Sequence, residues 1–274
     1  MTRRSARTGS SALVAGTERS VGGSARRTGL RLDQLLVERG GAASREQARR
    51  LIMSGAVRVD DRVIDKPGHR TAADAAVKLS GAPKFVSRGG IKLEGALLAL
   101  GLPVAGRVAM DVGASTGGFT DCLLQHGARR VYAVDVGYGQ LAWSLRQDPR
   151  VVVIERTNIR TMSSAAVPER VDLVTADVSF ISLRLVLPAL RPWLAERADL
   201  LVLVKPQFEV GRGRVGRGGV VRDPALRDSA LRQVAAAASE AGYRLSGETP
   251  SVLPGPKGNR ESFLWLQWGI ISAE

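Results

Sequence analysis

Val108-Ala-Met-Asp-Val-Gly-Ala-Ser-Thr-Gly-Gly-Phe119 decides the fold. Its first five residues form an almost unbroken apolar run of strand length, and glycines at 113, 117 and 118 break it before a helical stretch resumes. A strand that turns on glycine into a helix opens an α/β unit, and such sheets bind ligands at the carboxyl ends of their strands. Gly113 permits a tight turn, while Gly117 and Gly118 let backbone and ligand approach closely. The spacing is not the G-x-G-x-x-G of a dinucleotide site, and a glycine-rich turn taken alone is equally a plain strand-to-helix connection. Asp111, Gly113, Ala114, Ser115, Gly117, Gly118 and Phe119 are the candidate cofactor contacts of this turn.

Downstream the chain keeps alternating apolar strands with helical stretches, which predicts a parallel sheet. Further strands are expected over 130–136, 151–155, 171–176 and 200–204, a long helix over 222–241 and a late strand over 262–268. The second strand ends at Asp135, 22 residues beyond Gly113, where an acid can accept hydrogen bonds from both hydroxyls of a ribose; a helix-capping carboxylate is the plain alternative. Asn158 and Ile159, after the third strand, are placed to meet an adenine. No Walker lysine follows the glycines, which argues against a triphosphate; adenosine without polyphosphate points to S-adenosylmethionine.

Composition narrows the classes. In 274 residues, 40 Lys+Arg stand against 26 Asp+Glu, a net charge of +14, and only six of the basic residues are lysine. Such an excess suggests a nucleic-acid partner, although it also fits a solvated surface. No apolar stretch approaches the roughly 18 residues of a membrane span, so an integral membrane protein is excluded. One cysteine, Cys122, and two histidines, His69 and His126, leave no metal site expected and fit a reducing, cytoplasmic compartment. Residues 1–29 hold six arginines and one acid among Ser, Gly, Ala and Thr, and are expected to be a disordered basic tail.

A compact unit is expected over 30–80. Leu32, Leu35 and Leu36 make the inward stripe of a first helix ended by Gly40-Gly41. Ser44 and Gln47 form a capping box for a second, with Ala48, Leu51 and Ile52 inward and Arg45, Arg49 and Arg50 outward. Val57, Val59 and Val63 alternate around Asp60-Asp61 as in a hairpin, and a further strand is expected over 76–79. Three arginines on one helix can straddle a phosphate backbone, or simply form a solvated face. Arg31-Leu-Asp-Gln-Leu-Leu, Ser44-Arg-Glu-Gln-Ala-Arg-Arg-Leu-Ile and Gly55-Ala-Val-Arg-Val-Asp together resemble the S-four RNA-binding domain. The turn-rich stretch at Ser80-Gly-Ala-Pro-Lys84 marks the break, with a linker over 81–87 and the second domain over 88–270.

Four more residues fall where such a sheet would gather them: Lys92 before the first strand, Asp177 past the fourth, Lys205 past the fifth and Glu261 beside the late strand. Each alone is most simply a surface or salt-bridge residue. A ribose hydroxyl must lose its proton as a methyl group arrives, and lysine, unlike arginine, can be tuned between charge states. Like charges brought close disfavour ionisation of one of them, and neighbouring carboxylates push the other way.

Ser87-Arg-Gly-Gly-Ile-Lys92-Leu, the glycine turn, Ala176-Asp177-Val-Ser-Phe, Val204-Lys205-Pro-Gln-Phe-Glu and Arg260-Glu261-Ser-Phe resemble the FtsJ-like ribose 2'-O-methyltransferases with their Lys-Asp-Lys-Glu tetrad. Ala133-Val-Asp-Val-Gly-Tyr-Gly-Gln-Leu141 and Lys205-Pro-Gln-Phe-Glu-Val-Gly211 are similar to signatures of the haemolysin A (TlyA) family, in which an S-four domain precedes the methyltransferase domain. The resemblance covers about residues 30–270. It implies an α/β chain: a Rossmann-like class I methyltransferase sheet with helices on both faces, preceded by a small α+β RNA-binding domain. It further implies S-adenosylmethionine-dependent methylation of cytidine ribose in 16S and 23S ribosomal RNA, a link to capreomycin and viomycin susceptibility, and a monomer off the ribosome. Lys205 would lie next to the attacking hydroxyl, with Lys92, Asp177 and Glu261 orienting it. Phe85, where tryptophan is expected, the tail before Leu30, and Asn158 in place of an acid depart from the pattern.

Arg31, Arg45, Arg49, Arg50, Arg88, Arg212 and Arg214 are the candidate RNA contacts; the last two sit in the glycine-rich segment 211–219, which is either a phosphate clamp or a plain loop. Two other classes compete. A membrane-damaging haemolysin would need a secretion signal or an amphipathic pore segment, and it leaves the glycine turn unexplained. A non-catalytic ribosome-binding factor would not need the intact tetrad.

Overall fold

The computed structural model describes residues 29–79, 81 and 84–269; apart from Gly29, the expected basic tail lies outside the described residues. Strand β1 (Leu30–Arg31) runs into α1 (Leu32–Glu38), and α2 (Arg45–Met53) follows after Gly40, whose φ is +71°. Ser44 Oγ accepts the Gln47 amide at 3.2 Å, and the Gln47 side chain accepts the Ala43 amide at 2.7 Å, one residue earlier than a standard capping box. The hairpin β2 (Val57–Val59) and β3 (Arg62–Val63) turns through Asp60 and Asp61, both with positive φ, a geometry aspartate tolerates. Strand β4 (Arg70–Thr71) pairs with β1, and β5 (Val77–Leu79) joins β2 on its other edge. Leu32, Leu36, Ala48, Ile52, Val57 and Val59 close this small core, with Leu51 at its margin.

The larger unit begins with α3 (Arg88–Leu100), then β6 (Val108–Val112), α4 (Gly118–Gln125), β7 (Arg130–Val134), α5 (Trp143–Arg146) and β8 (Val151–Ile154). The chain continues through β9 (Val171–Ala176), α6 (Leu183–Leu190), β10 (Leu194–Val204), α7 (Pro206–Glu209), α8 (Pro224–Glu240), β11 (Arg244–Pro250) and β12 (Ser262–Trp268). The sheet order is β11-β12-β10-β9-β6-β7-β8. From β10 to β8 all neighbours are parallel, whereas β12 runs antiparallel to both β10 and β11. The antiparallel β12 departs from the otherwise parallel sheet because the chain returns from β11 to β12 through the loop 251–261 and not by a helical crossover.

Alternate side chains of the central strands feed two cores. Met110 and Val112 join α6 and α8 through Leu187 and Val234 on one face. Ala109, Leu173 and Leu201 join α3 and α4 through Leu93 and Leu123 on the other. After β6 the chain moves outward to β7 and β8, then returns to the other side of β6 as β9. The carboxyl ends of β6 and β9 therefore flank a crevice at a topological switch point.

Several expected boundaries shift. The second strand stops at Val134, which leaves Asp135 in the connection. The fifth extends back to Leu194, and the long helix starts at Pro224, capped by Asp223. Strand β11 was not anticipated: it is an edge strand with mostly exposed or half-exposed residues, a glycine and a proline, so it has no buried-strand signature.

Candidate active site

The turn after β6 is held open by backbone. Gly113 has φ +85°, and a β-carbon there would come within 2.6 Å of the Asp177 carbonyl at the end of β9. Gly117 has φ +94°, and a β-carbon there would meet Leu145 at 2.2 Å. Ser115, also at positive φ, donates its amide to Asp135 Oδ2 at 2.8 Å, while Asp135 Oδ1 accepts the Gly137 amide at 2.6 Å. One carboxylate thus ties the loops after β6 and β7 together. Between them lies a cavity of about 470 Å³ lined by Gly113, Ser115, Asp135, Asn158, Ile159 and Asp177.

A second cavity of about 260 Å³ shares Gly113, Ser115 and Asp177 with the first, and Lys92, Lys205 and Glu261 also line it. Lys92 reaches it from the buried face of α3, Asp177 and Lys205 from the carboxyl ends of β9 and β10, and Glu261 from the start of antiparallel β12. All four elements deliver their residue to the same edge of the sheet. The side chains meet as two ion pairs: Lys92 Nζ to Glu261 Oε2 at 2.5 Å and Lys205 Nζ to Asp177 Oδ1 at 2.6 Å. Lys205 Nζ also donates to Ser179 Oγ at 2.9 Å. The Lys205–Asp177 approach is a charge contact off hydrogen-bond alignment, so Asp177 Oδ1 remains buried without a hydrogen bond, as does Glu261 Oε1.

Of the turn residues, Ala114, Gly118 and Phe119 also line this second cavity, and Phe119 packs against Phe263 beneath it. Gly117 lines neither cavity and serves the packing of α5 against the turn. Asp111 lines neither cavity. Strand alternation turns its carboxyl into the sheet's interior, fully buried, where it accepts Thr120 Oγ1 at 2.7 Å and Thr175 Oγ1 at 3.1 Å. Burial pushes this carboxyl up to about 7 against the pull of those hydroxyls, and the charge of Asp177 adds to the rise.

Three residues near the site carry no motif signal that singles them out. Glu209, 3% exposed on α7, accepts Ser182 Oγ at 2.5 Å and the Leu183 amide at 2.9 Å, which fixes the start of α6. Phe180, at positive φ and 92% exposed, packs one edge on Phe208. Ser87 lies beside Gly118, where a β-carbon would overlap its hydroxyl.

The candidate RNA residues divide. Arg31, Arg45 and Arg49 converge on the buried carboxylate of Asp33 at 2.8, 3.3 and 3.4 Å. The Arg31 hydrogen bond, reinforced by the other two arginines, holds Asp33 far below the usual carboxylate range against the cost of burial. Arg45 and Arg49 keep half their side-chain surface in solvent. Arg88 pairs with Asp65 at 2.6 Å, joins the small domain to the large one and lines the tetrad cavity. Arg212 and Arg214 share one short turn; Arg214 is exposed and lines neither cavity.

A model of the FtsJ-like methyltransferase family matches residues 85–268, and a model of the S4 domain matches residues 30–73. The 16S/23S rRNA (cytidine-2'-O)-methyltransferase TlyA of Mycobacterium tuberculosis is 54% identical over 239 residues, 86% of this chain and 89% of that protein. Hemolysin A of Brachyspira hyodysenteriae is 38% identical over 233 residues, 85% of this chain and 97% of that protein. The solved structure of a candidate hemolysin from Streptococcus thermophilus is 41% identical with a TM-score of 0.70, and the match covers 89% of this chain and 90% of that one.

Proposed function

The chain belongs to the FtsJ-like methyltransferase family, and from that premise we propose that it methylates the 2'-hydroxyl of cytidine ribose in 16S and 23S ribosomal RNA, with S-adenosylmethionine as donor. The observation that carries the reading is the meeting of Lys92, Asp177, Lys205 and Glu261 in a cavity that shares Gly113, Ser115 and Asp177 with a second one. The residues present fit the donor. The glycine cradle has space that a β-carbon would fill, and Asp177 Oδ1 and Glu261 Oε1 are buried acceptors without hydrogen-bond partners. Asp135 would accept the donor's ribose hydroxyls on its remaining lone pairs, and Asn158 and Ile159 would border the adenine. When bound, S-adenosylmethionine supplies an activated methyl group.

The chain's own residues do the rest. Lys205 Nζ, held by Asp177 and Ser179, would hydrogen-bond the attacking hydroxyl and stabilise the negative charge its oxygen gains as its proton passes to solvent and the methyl group leaves the donor behind as a neutral thioether. Lys92 and Glu261 set the orientation and field on the opposite wall. Residues 30–80 act as the RNA-binding domain through the arginines of α2, and 88–270 as the catalytic domain joined to it through 81–87. We place the protein in the cytoplasm with its ribosomal substrate, as a monomer off the ribosome, and its activity would set susceptibility to capreomycin and viomycin. A lytic activity leaves the tetrad and the glycine cradle without a task.

The test is methylation of purified ribosomal subunits with labelled S-adenosylmethionine, comparing wild type with Lys205→Ala. A loss of about 10²- to 10⁴-fold is expected with RNA binding retained. Equal label transfer by the two refutes the role of Lys205, and no transfer by wild type refutes the ribosomal reading.

A further inference from the structure

A cleft of about 830 Å³ separates α2 of the small domain from α5 of the large one. Arg31, Arg49 and Arg50 line one side, and Trp143 and Arg146 the other, with Glu46 as the one acid. Arg31 and Arg49 already share Asp33, and Arg146 is bound by Glu155; Arg50 has no ion-pair partner among the described residues. Met53 and Thr116 line both this cleft and the tetrad cavity, so the two adjoin there.

Trp143 differs from the other tryptophans. Trp193 is buried, Trp265 donates to Asp199 at 2.7 Å, and Trp268 lies under Arg191. Trp143 is 65% exposed, and among the described residues neither a ring nor a cation stacks on it. Tyr138, on the same wall, has a face covered by Arg156 at 4.1 Å. The helix that carries Trp143 is fixed: Leu145 is buried beneath it, and the Ala142 amide is bonded to the Thr116 carbonyl at 3.2 Å. Its distance from the glycine turn is therefore set by the fold. An exposed indole on a fixed helix, in a cleft also lined by cationic side chains, is the arrangement that takes an unpaired base and its phosphate, with little preference among bases.

We propose that this cleft is a second nucleotide subsite, in which Trp143 stacks the base of an unpaired RNA nucleotide adjoining the methylated one and Arg50 meets its phosphate. The subsite rests on the ribosomal RNA reading for its substrate, but its binding step is observable without chemistry. Its effect is to hold the strand on both sides of Met53 and Thr116, so that the target ribose is presented at the tetrad in one register. A stacked base is worth about 5- to 150-fold in affinity.

The full chain is titrated with single-stranded hexacytidylate while tryptophan fluorescence is followed, and in parallel its methylation of ribosomal subunits is measured. Quenching is expected in wild type and absent in Trp143→Phe, which keeps the ring and the fold. Trp143→Ala should raise KM for subunits about 5- to 150-fold with S-adenosylmethionine affinity unchanged, and Trp143→Phe should restore most of that loss. Quenching without methylation would leave the subsite standing and sink the proposed activity. Unquenched fluorescence in wild type, equal quenching by fully paired RNA, or an unchanged KM in Trp143→Ala would overturn the subsite. So would Trp143 shielded only on whole subunits and never by the oligonucleotide, which would assign the surface to a ribosomal protein.

Discussion

Asp111→Asn removes a titratable carboxyl from the middle of β6 while keeping its volume and its capacity to bond two hydroxyls. In the wild-type fold, burial carries this carboxyl from 3.8 to about 7. The folded state therefore holds its proton over a range in which the unfolded chain has released it. Stability from this group is fully present below about pH 4, falls as pH rises through the window between 3.8 and about 7, and stays low above it. Each pH unit in that window costs about 1.4 kcal/mol, so the whole loss is about 4 kcal/mol, with about 3 of it between pH 5 and pH 8. Urea unfolding of wild type and Asp111→Asn at pH 5 and pH 8 isolates the effect, because every other titrating group is common to both. The variant should gain about 3 kcal/mol relative to wild type on going from pH 5 to pH 8. A difference between the two proteins that does not change with pH would refute the burial argument.

The paired charges of the tetrad make a second prediction. Glu261→Gln leaves Lys92 buried without its counter-charge and should cost about 3 kcal/mol or more. The double variant Lys92→Met with Glu261→Gln should recover much of the urea midpoint yet remain inactive in methylation, and a double variant as unstable as the single one would contradict the pairing. Glu209 is expected to act as a positioning residue through Ser182 and Leu183. Glu209→Ala should lower kcat with little change in KM and destabilise by about 2 kcal/mol, Glu209→Gln should restore part of both, and kcat at the wild-type level in Glu209→Ala would refute it.

The glycine turn and the family's motif stations were legible because their signals are local: a strand, a glycine, an acid at a strand end. The burial of the Asp111 carboxyl was not legible, for a physical reason. It lies in a central strand whose neighbours are all buried, so no alternation of polar and apolar residues reveals which face its side chain takes. The arginines of α2 read as a solvated or RNA-facing row, but three arginines share Asp33, a meeting of residues 12 and 16 positions apart that helix periodicity does not encode. The pairing within the tetrad was equally hidden, since Lys92 and Glu261 are 169 residues apart and only the antiparallel return of β12 brings them together. Glu209 sits inside a recognised motif, yet its task is visible only once α6 is seen to start on its carboxylate.

The scarcity of lysine acquires a structural meaning in the same geometry. Lys66, Lys78, Lys84 and Lys257 are exposed, where arginine would serve as well, whereas Lys92 is buried and Lys205 half-buried. At each of these two positions the surroundings offer a single carboxylate at 2.5 or 2.6 Å. A compact ammonium can be satisfied there; a guanidinium brings five donors in a fixed fork and would leave most of them buried and unpaired. Arginine is accommodated at half-buried positions such as Arg88, where Asp65 pairs it at 2.6 Å, but the buried cation, Lys92, is a lysine, as the packing and hydrogen-bond constraint requires. The same two ion pairs offset the charge of the two lysines, so both can line one cavity without the repulsion that an unpaired couple would bring.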